Sequence, residues 1–355
     1  MNTGKKLDFF ERYLSVWVLL CMVFGVAWGK LMPDLVDKIS AWEFGKDSHV
    51  NIAIAILIWL MIYPMMLKID FGGIRGILRK PGGLFVTLFV NWLVKPFSMA
   101  LLGWFFVQWL FSSVLHWIEP GTAANYVAGL IILAAAPCTA MVFVWSYLTD
   151  GDGAYTLAQV AVNDLIMIFA FAPIVMFLAG VSGVHIPAAV LITSVMVFIV
   201  SPLAAGCLSR MLLVKVKGVT WFEGVFLPLF RPVAILSLLA TLTLIFAFQA
   251  ENITRNWTAV LLLAVPIVIQ VYFNSGLAYG LMKLFGVKHN VAAPGALIGA
   301  SNFFELAVAV AITLFGATSP AALATVVGVL VEVPVMLSVC RICTDSKAWY
   351  EGTKA

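Results

Sequence analysis

Long runs of predominantly apolar residues follow one another along the whole chain and are separated by short polar segments. A helix needs about 20 apolar residues to cross a bilayer, so each run predicts a transmembrane helix. The chain has ten such runs, at residues 14–31, 50–67, 84–111, 125–148, 154–180, 187–212, 224–249, 258–286, 291–315 and 319–341. This pattern predicts an all-α integral membrane protein with ten spans.

The composition agrees with that pattern. Hydrophobic residues make up 63% of the chain and charged residues 11%, and the mean hydropathy is +1.06, whereas soluble domains carry about 25% charged residues. We therefore expect a single polytopic membrane domain over residues 1–355. The segment from Met1 to Arg12 is polar and no small-residue cleavage site follows it, so the first span is expected to be retained.

The lysines and arginines predict the orientation. With the N-terminus inside, fifteen of the 21 basic residues fall in cytoplasmic segments. The outer loops hold only Lys30, Lys38, Lys46 and Arg255. By the positive-inside rule, we expect both termini in the cytoplasm. The chain is expected in the plasma membrane. The net charge of +4 then reflects topology, and no nucleic-acid partner is expected.

Ten spans divide into two sets of five, residues 14–180 and 187–341. An odd number of spans per set makes the second set enter the membrane from the opposite side, which predicts an inverted repeat. Weak internal similarity supports the division, because Leu133–Val160 resembles Ile298–Val326. Spans four and nine are therefore predicted to correspond.

Both of these spans contain residues that interrupt a helix. Pro137 lies in the middle of span four and is followed by Cys138, and Ser301 and Asn302 lie in span nine. Proline removes a backbone donor, and serine and asparagine side chains compete for backbone groups. Paired interrupted segments in the two halves of a transporter indicate a binding site near the bilayer midplane.

A few ionisable residues lie inside spans, where a charge is costly. Glu305 follows the break in span nine and, four residues from Ser301, is expected to share its helical face. Asp164 in span five is a second functional candidate, and Glu332 is a weaker one because it lies nearer the cytoplasmic end of span ten. For Lys95 and Arg231 we leave open a functional role and a structural one, the latter as an interhelical ion pair or as a side chain that snorkels to the interface.

The five cysteines argue against disulfides. Cys21, Cys138 and Cys207 fall within or near spans, and Cys340 and Cys343 form a Cys-x-x-Cys at the inner end of span ten, facing a reducing compartment. The last pair is interpreted as an ordinary helix end, with thiol capture of a soft ion as the alternative. Cys138 is the better candidate ligand, because it directly follows the helix-breaking proline.

Several motifs together resemble a known family. They are Asn91–Pro96 (NWLVKP), Ala135–Ser146 (AAPCTAMVFVWS), Thr149–Asp152 (TDGD), Val162–Met167 (VNDLIM) and Gly299–Ala309 (GASNFFELAVA). In these motifs, and over essentially its whole length, the chain resembles the arsenite efflux permeases of the bile acid:sodium symporter superfamily.

The resemblance implies two inverted five-helix repeats, a panel and a core domain, and crossed discontinuous helices at spans four and nine. It also implies export of arsenite, with antimonite as a second candidate, in exchange for protons. Cys138 matches the essential span-four cysteine of that family and Glu305 its essential span-nine glutamate. Our hypothesis is that Cys138 binds As(III), that Ser301 and Asn302 hold the arsenite hydroxyls, and that protonation of Glu305 releases the substrate.

In this hypothesis Pro137 shapes the site and Asp164 is a second candidate for proton coupling.

One alternative function keeps the same fold, with the chain as a sodium-coupled carrier of an organic anion. Another is an enzyme or a channel. An enzyme is disfavoured because the four histidines, His49, His116, His185 and His289, are expected in loops. No Walker-type loop is present and no cofactor is expected; an accessory soluble ATPase and the oligomeric state are left open.

Overall fold

The computed structural model describes residues 14–44, 50–67, 81–139 and 141–352, which are mostly helical. The helices are α1 (Leu14–Leu31), α2 (Pro33–Ser40), α3 (Ile52–Leu67), α4 (Gly82–Val114), α5 (Pro120–Ala135), α6 (Val142–Leu148), α7 (Gly153–Val181), α8 (Ala188–Lys217), α9 (Val219–Phe248), α10 (Ala250–Arg255), α11 (Trp257–Leu284), α12 (His289–Ala300), α13 (Phe304–Phe315), α14 (Pro320–Asp345) and α15 (Lys347–Glu351). Two short strands, β1 (Glu43–Phe44) and β2 (Val50–Asn51), pair antiparallel.

Several helices are suited to a bilayer. By length and composition, α4, α7, α8, α9, α11 and α14 can each cross it, and the bent pair of α1 and α2 adds a seventh if counted as one span. Helices α3, α5 and α13 are apolar but shorter. The predicted all-α membrane protein is therefore confirmed, while ten crossings remain a prediction. Some of the basic residues from which the orientation was predicted lie outside the described residues. They are Lys5, Lys6, Arg12, Lys46, Lys68, Arg75, Arg79, Lys80 and Lys354.

One group of helices consists of α1, α3, α8 and α9. Helix α9 packs against both α1 and α3, and α3 also packs against α8. Gly25 and Gly29 lie four residues apart on α1, and a Cβ atom at either position would overlap the backbone of Thr243 or Ala247 on α9. Small residues at this spacing let helix backbones approach closely in membranes.

A second group of helices surrounds the two predicted breaks. Helix α14 packs against α5, α11 and α13, and α12 packs against α11. Helix α5 is enclosed by its neighbours, with every residue from 126 to 135 buried. Gly129 makes this possible, because a Cβ atom there would collide with the carbonyl oxygen of Ala321 on α14.

Helix α4 widens on either side of Lys95. Residues Val90–Val94 and Gly103–Val114 form π-helical turns, and Lys95–Leu102 is α-helical between them. Pro96 has no N–H to donate to the preceding turn, and π-helical turns within α-helices occur frequently at functional sites. The wider turns place Asn91, Trp92 and Lys95 among the buried residues.

Candidate functional site

Both predicted breaks exist. Helix α5 ends at Ala135, and Ala136 is extended with φ −102° and ψ 104°, as steric contact with a following proline favours. Helix α12 ends at Ala300, and Ser301 is extended with φ −75° and ψ 145°. Helices α6 and α13 resume after the breaks, so the apolar runs 125–148 and 291–315 each form two helices.

The two breaks pair with each other. Pro137 and Asn302 form an antiparallel bridge. The N–H of Phe303 donates to the carbonyl of Ala136 at 2.8 Å, and the N–H of Cys138 donates to the carbonyl of Ser301 at 3.3 Å. Each segment thus satisfies backbone groups that the other has freed by leaving the helix. Irregular backbone at membrane depth is tolerated only where protein or a cavity supplies such partners.

Glu332 on α14 holds the second break. One carboxylate oxygen accepts hydrogen bonds of 2.6 Å from the Ser301 hydroxyl and from the Asn302 N–H, and the other accepts one of 3.1 Å from the Asn302 side chain. Glu332 is 1% exposed. Its position near the cytoplasmic end of span ten predicts a weaker functional candidate, but the structure places it at the second break. No residue near Glu332 in the sequence indicates this contact.

Lys95 reaches the same break from α4. Its Nζ donates to the carbonyl oxygen of Ser301 at 2.8 Å, and its side chain is fully buried. Lys95 and Glu332 are close enough to interact electrostatically. Snorkelling is therefore wrong for Lys95, which faces the protein interior. Arg231 lies in α9, and its side chain is outside the described part.

Cys138 is the thiol at this junction. It is fully buried and unpaired with another cysteine. The Ser301 side chain and the carboxylates of Glu305 and Glu332 lie near enough to influence the thiol electrostatically. Cys138, Ser301 and Glu305, which were all predicted as site residues, therefore lie close together.

Glu305 lies in the first turn of α13 and is fully buried. Its two carboxylate oxygens have no hydrogen-bond partner among the described residues, and the same holds for the side-chain oxygen of Asn302. The expected shared helical face of Ser301 and Glu305 is wrong, because residues 301–303 are not helical and α13 begins at Phe304. Glu305 is instead positioned beside the second break by the first turn of α13.

Asp164 occupies a different position. It is 3% exposed on α7, and its Oδ2 has no partner among the residues described. Its neighbour Asn163 accepts a hydrogen bond of 3.0 Å from the indole N–H of Trp92 on α4. Within the described residues no hydrogen bond joins Asp164 to the paired breaks.

The other predicted features lie apart from this junction. Cys340 and Cys343 are buried free thiols in α14. His289, expected in a loop, is instead the buried first residue of α12, and its Nε2 lies 2.9 Å from the carbonyl oxygen of Cys343, because the end of α14 covers it. His49 lies outside the described residues, and the described part of the chain holds no cluster of three or more metal-ligating side chains.

The junction therefore brings together a thiol, two carboxylates, a hydroxyl, an amide and an ammonium, all of them buried. Such a set can hold a small polar molecule with several hydroxyl groups and can form one bond to a soft atom.

A comparison with family models identifies the family of the chain. Residues 55–256 match the model of the Sodium Bile acid symporter family. The chain belongs to that family. Its relatives include the arsenical-resistance protein Acr3 of Alkaliphilus metalliredigens (strain QYMF), 55% identical over 99% of this chain and 96% of the relative.

Two further relatives of this symporter-family chain are more distant. An uncharacterized transporter of Synechocystis sp. is 44% identical over 99% of this chain and 92% of its own. The Acr3 protein of Corynebacterium glutamicum is 34% identical over 94% of this chain and 88% of its own. The resemblance to arsenical-resistance permeases is confirmed, and the chain is a multi-pass membrane transporter of the symporter family.

Proposed function

We propose that the protein exports arsenite from the cytoplasm in exchange for protons, with antimonite as a second substrate. The observation that carries the proposal is the pairing of two helix breaks around a buried thiol, beside a buried carboxylate that has no hydrogen-bond partner among the described residues. The full-length similarity to two proteins named for arsenical resistance supports the choice of substrate.

The chemistry of the substrate fits the junction. Arsenite at neutral pH is an uncharged trihydroxide, and trivalent arsenic is soft enough to prefer sulfur. The Cys138 sulfur forms a bond to arsenic, one arsenic–oxygen bond breaks, and the thiol proton leaves with that hydroxyl as water. Ser301 and Asn302 hold the remaining hydroxyls. A single thiol binds reversibly, whereas three would hold the ion too tightly to release it.

Glu305 couples the cycle to protons. Its carboxylate, which has no hydrogen-bond partner in the described part of the chain, accepts hydrogen bonds from substrate hydroxyls while ionised. Protonation from the outside turns one acceptor oxygen into a donor and weakens those contacts, so that water displaces the thiol and arsenite leaves. Deprotonation toward the cytoplasm resets the site. Asp164 is a second proton carrier along α7.

The architecture we propose for this cycle is ten crossings in two inverted repeats, residues 14–180 and 187–341. The group of α1, α3, α8 and α9 forms the panel, and the group around the paired breaks forms the core. Movement of core against panel exposes the junction to alternate sides. Both termini lie in the cytoplasm and the protein resides in the plasma membrane.

The test is arsenite accumulation in inside-out vesicles with an imposed pH gradient, acid inside. We expect uptake that a protonophore abolishes and that sodium does not affect. Uptake that requires sodium, or an organic anion carried in place of arsenite, would instead support a sodium-coupled carrier on the same fold. Retention of activity by purified protein in liposomes would exclude a need for an accessory ATPase.

A further inference from the structure

The fully buried lysine at the junction is not used by the transport cycle above. Lys95 donates from Nζ to the carbonyl oxygen of Ser301 at 2.8 Å, and that carbonyl belongs to the unwound segment between α12 and α13. Among the residues whose side chains are described, Lys95 is the one buried lysine or arginine. Burial of a cation costs free energy unless the cation is paired, so the interactions of Lys95 must offset that cost.

The place that Lys95 fills is one that suits a small cation. In transporters built from broken helices, unwound carbonyl oxygens coordinate the coupling ion. Here the carbonyl of Ser301 binds the ammonium group, and the carboxylate of Glu332 is near enough to interact with it electrostatically. Gln270 lies alongside, since its Nε2 donates to the carbonyl of Lys95 at 3.4 Å, and its own buried Oε1 has no partner among the described residues.

We propose that the Lys95 ammonium is a built-in cation that occupies the position of a coupling metal ion at the second break and thereby makes the cycle independent of sodium. The lysine balances the charge of Glu332 and fixes the Ser301 carbonyl, so the break keeps its shape in every step of the cycle. This inference rests on the proposed binding site at the paired breaks, but it concerns the cation and not the substrate.

The helix register supports this placement. A Cβ atom at Gly299 would meet Val90 on α4 and Ala278 on α11. Lys95 follows Val90 by five residues on α4, and its ammonium reaches the carbonyl of Ser301 directly after the end of α12. The packing of α4 against α12 therefore brings the Lys95 ammonium to the second break.

Removal of the ammonium should open a cation site. In sodium-free choline buffer, Lys95→Ala should transport arsenite at less than about a tenth of the wild-type rate, as expected when one partner of a buried charge pair is removed. Added sodium or methylammonium should restore part of that rate, while wild type should not respond to either. Lys95→Gln keeps a donor for the Ser301 carbonyl but lacks the charge, and it should show the same cation requirement.

Two controls separate this requirement from general damage. Lys283→Gln removes a lysine that donates to the carbonyl of Trp349 on the protein surface, and this variant should remain active and indifferent to sodium. Lys95→Arg keeps the charge and should be less impaired than Lys95→Gln in choline buffer.

Thermal unfolding of purified protein supplies a readout without transport. Sodium should raise the melting temperature of Lys95→Ala and leave that of wild type unchanged.

The proposal is overturned if sodium stabilises wild type, if Lys95→Ala transports arsenite normally in choline buffer, or if neither cation affects folded Lys95→Ala. If the substitution prevents folding in choline and in sodium alike, a charge-retaining Lys95→Arg that is no more active than Lys95→Gln also overturns it. Absence of arsenite transport by wild type would refute the proposed function instead, and the melting experiment would still decide the role of Lys95.

Discussion

Pro137 and Asn302 lie opposite each other in an antiparallel bridge that joins two interrupted helices from distant parts of the chain. The bridge makes the two breaks one structural unit, since the backbone partners freed in one segment are supplied by the other. A thiol, a hydroxyl and an amide are carried on this unit, so their spacing is set by backbone hydrogen bonds and not by loop flexibility.

Cys138→Ser tests the need for the thiol. A serine hydroxyl has nearly the same size but bonds weakly to a soft ion, so we expect arsenite transport to fall at least about tenfold with little change in stability. Flux into inside-out vesicles measures this. Cys207→Ser, at a half-buried cysteine on α8, serves as the matched control and should transport normally. Arsenite flux by Cys138→Ser at the wild-type rate would show that transport does not require the thiol.

Glu305→Gln tests proton coupling. Exchange of a neutral substrate for one proton supports about tenfold accumulation per unit of pH gradient, because tenfold corresponds to about 1.4 kcal/mol. Glutamine cannot titrate, so the variant should lose this accumulation and should exchange arsenite at a rate independent of pH. The experiment compares steady-state arsenite levels at several imposed gradients.

The control for that experiment is Glu251→Gln, at an exposed residue paired with Arg255, which should behave as wild type. Accumulation by Glu305→Gln that still follows the pH gradient would show that another group carries the proton, with Asp164 as the next candidate.

Glu332 is expected to stabilise the second break. Glu332→Gln keeps an oxygen acceptor but loses the charge, and should reduce the free energy of unfolding by about 1–3 kcal/mol. Glu332→Ala leaves Ser301, Asn302 and Lys95 without their partner, and should cost about 3–5 kcal/mol. Denaturation in detergent measures both. Equal stabilities of wild type and Glu332→Ala would mean that the three hydrogen bonds do not hold the break.

Close packing of α5 against α14 is expected to matter for stability. Gly129→Ala forces a methyl group against the backbone of Ala321, so the melting temperature should fall by an amount that corresponds to about 1–3 kcal/mol. Gly180→Ala on α7 is the comparison, because a Cβ atom there meets nothing within 4 Å. A neutral result at both positions would contradict the close contact.

The sequence alone predicted a helical membrane protein, because the length of an apolar run is set by the thickness of the bilayer, whereas its ten crossings stay a prediction. It also placed both breaks, since proline, serine and asparagine interrupt helices through their local chemistry. Cys138 and Glu305 were predicted for the same reason, as polar groups beside those interruptions.

What the sequence did not predict depends on contacts between distant segments. Glu332 was ranked low from its position in the run, although the packing of α14 brings it to Asn302. For Lys95 the sequence left a functional role, an ion pair and the interface open, and the contact of α4 with the second break excludes the interface. The shared face of Ser301 and Glu305 was wrong because a four-residue spacing implies neighbours only where the helix is continuous.

The most direct test of the account is X-ray absorption at the arsenic edge on purified protein loaded with arsenite. A sulfur neighbour of arsenic in wild type is expected to be replaced by oxygen in Cys138→Ser, and to be retained in a variant with both Cys340→Ser and Cys343→Ser. An arsenic environment of oxygen alone in wild type, or a sulfur neighbour that persists in Cys138→Ser, would contradict binding at the paired breaks.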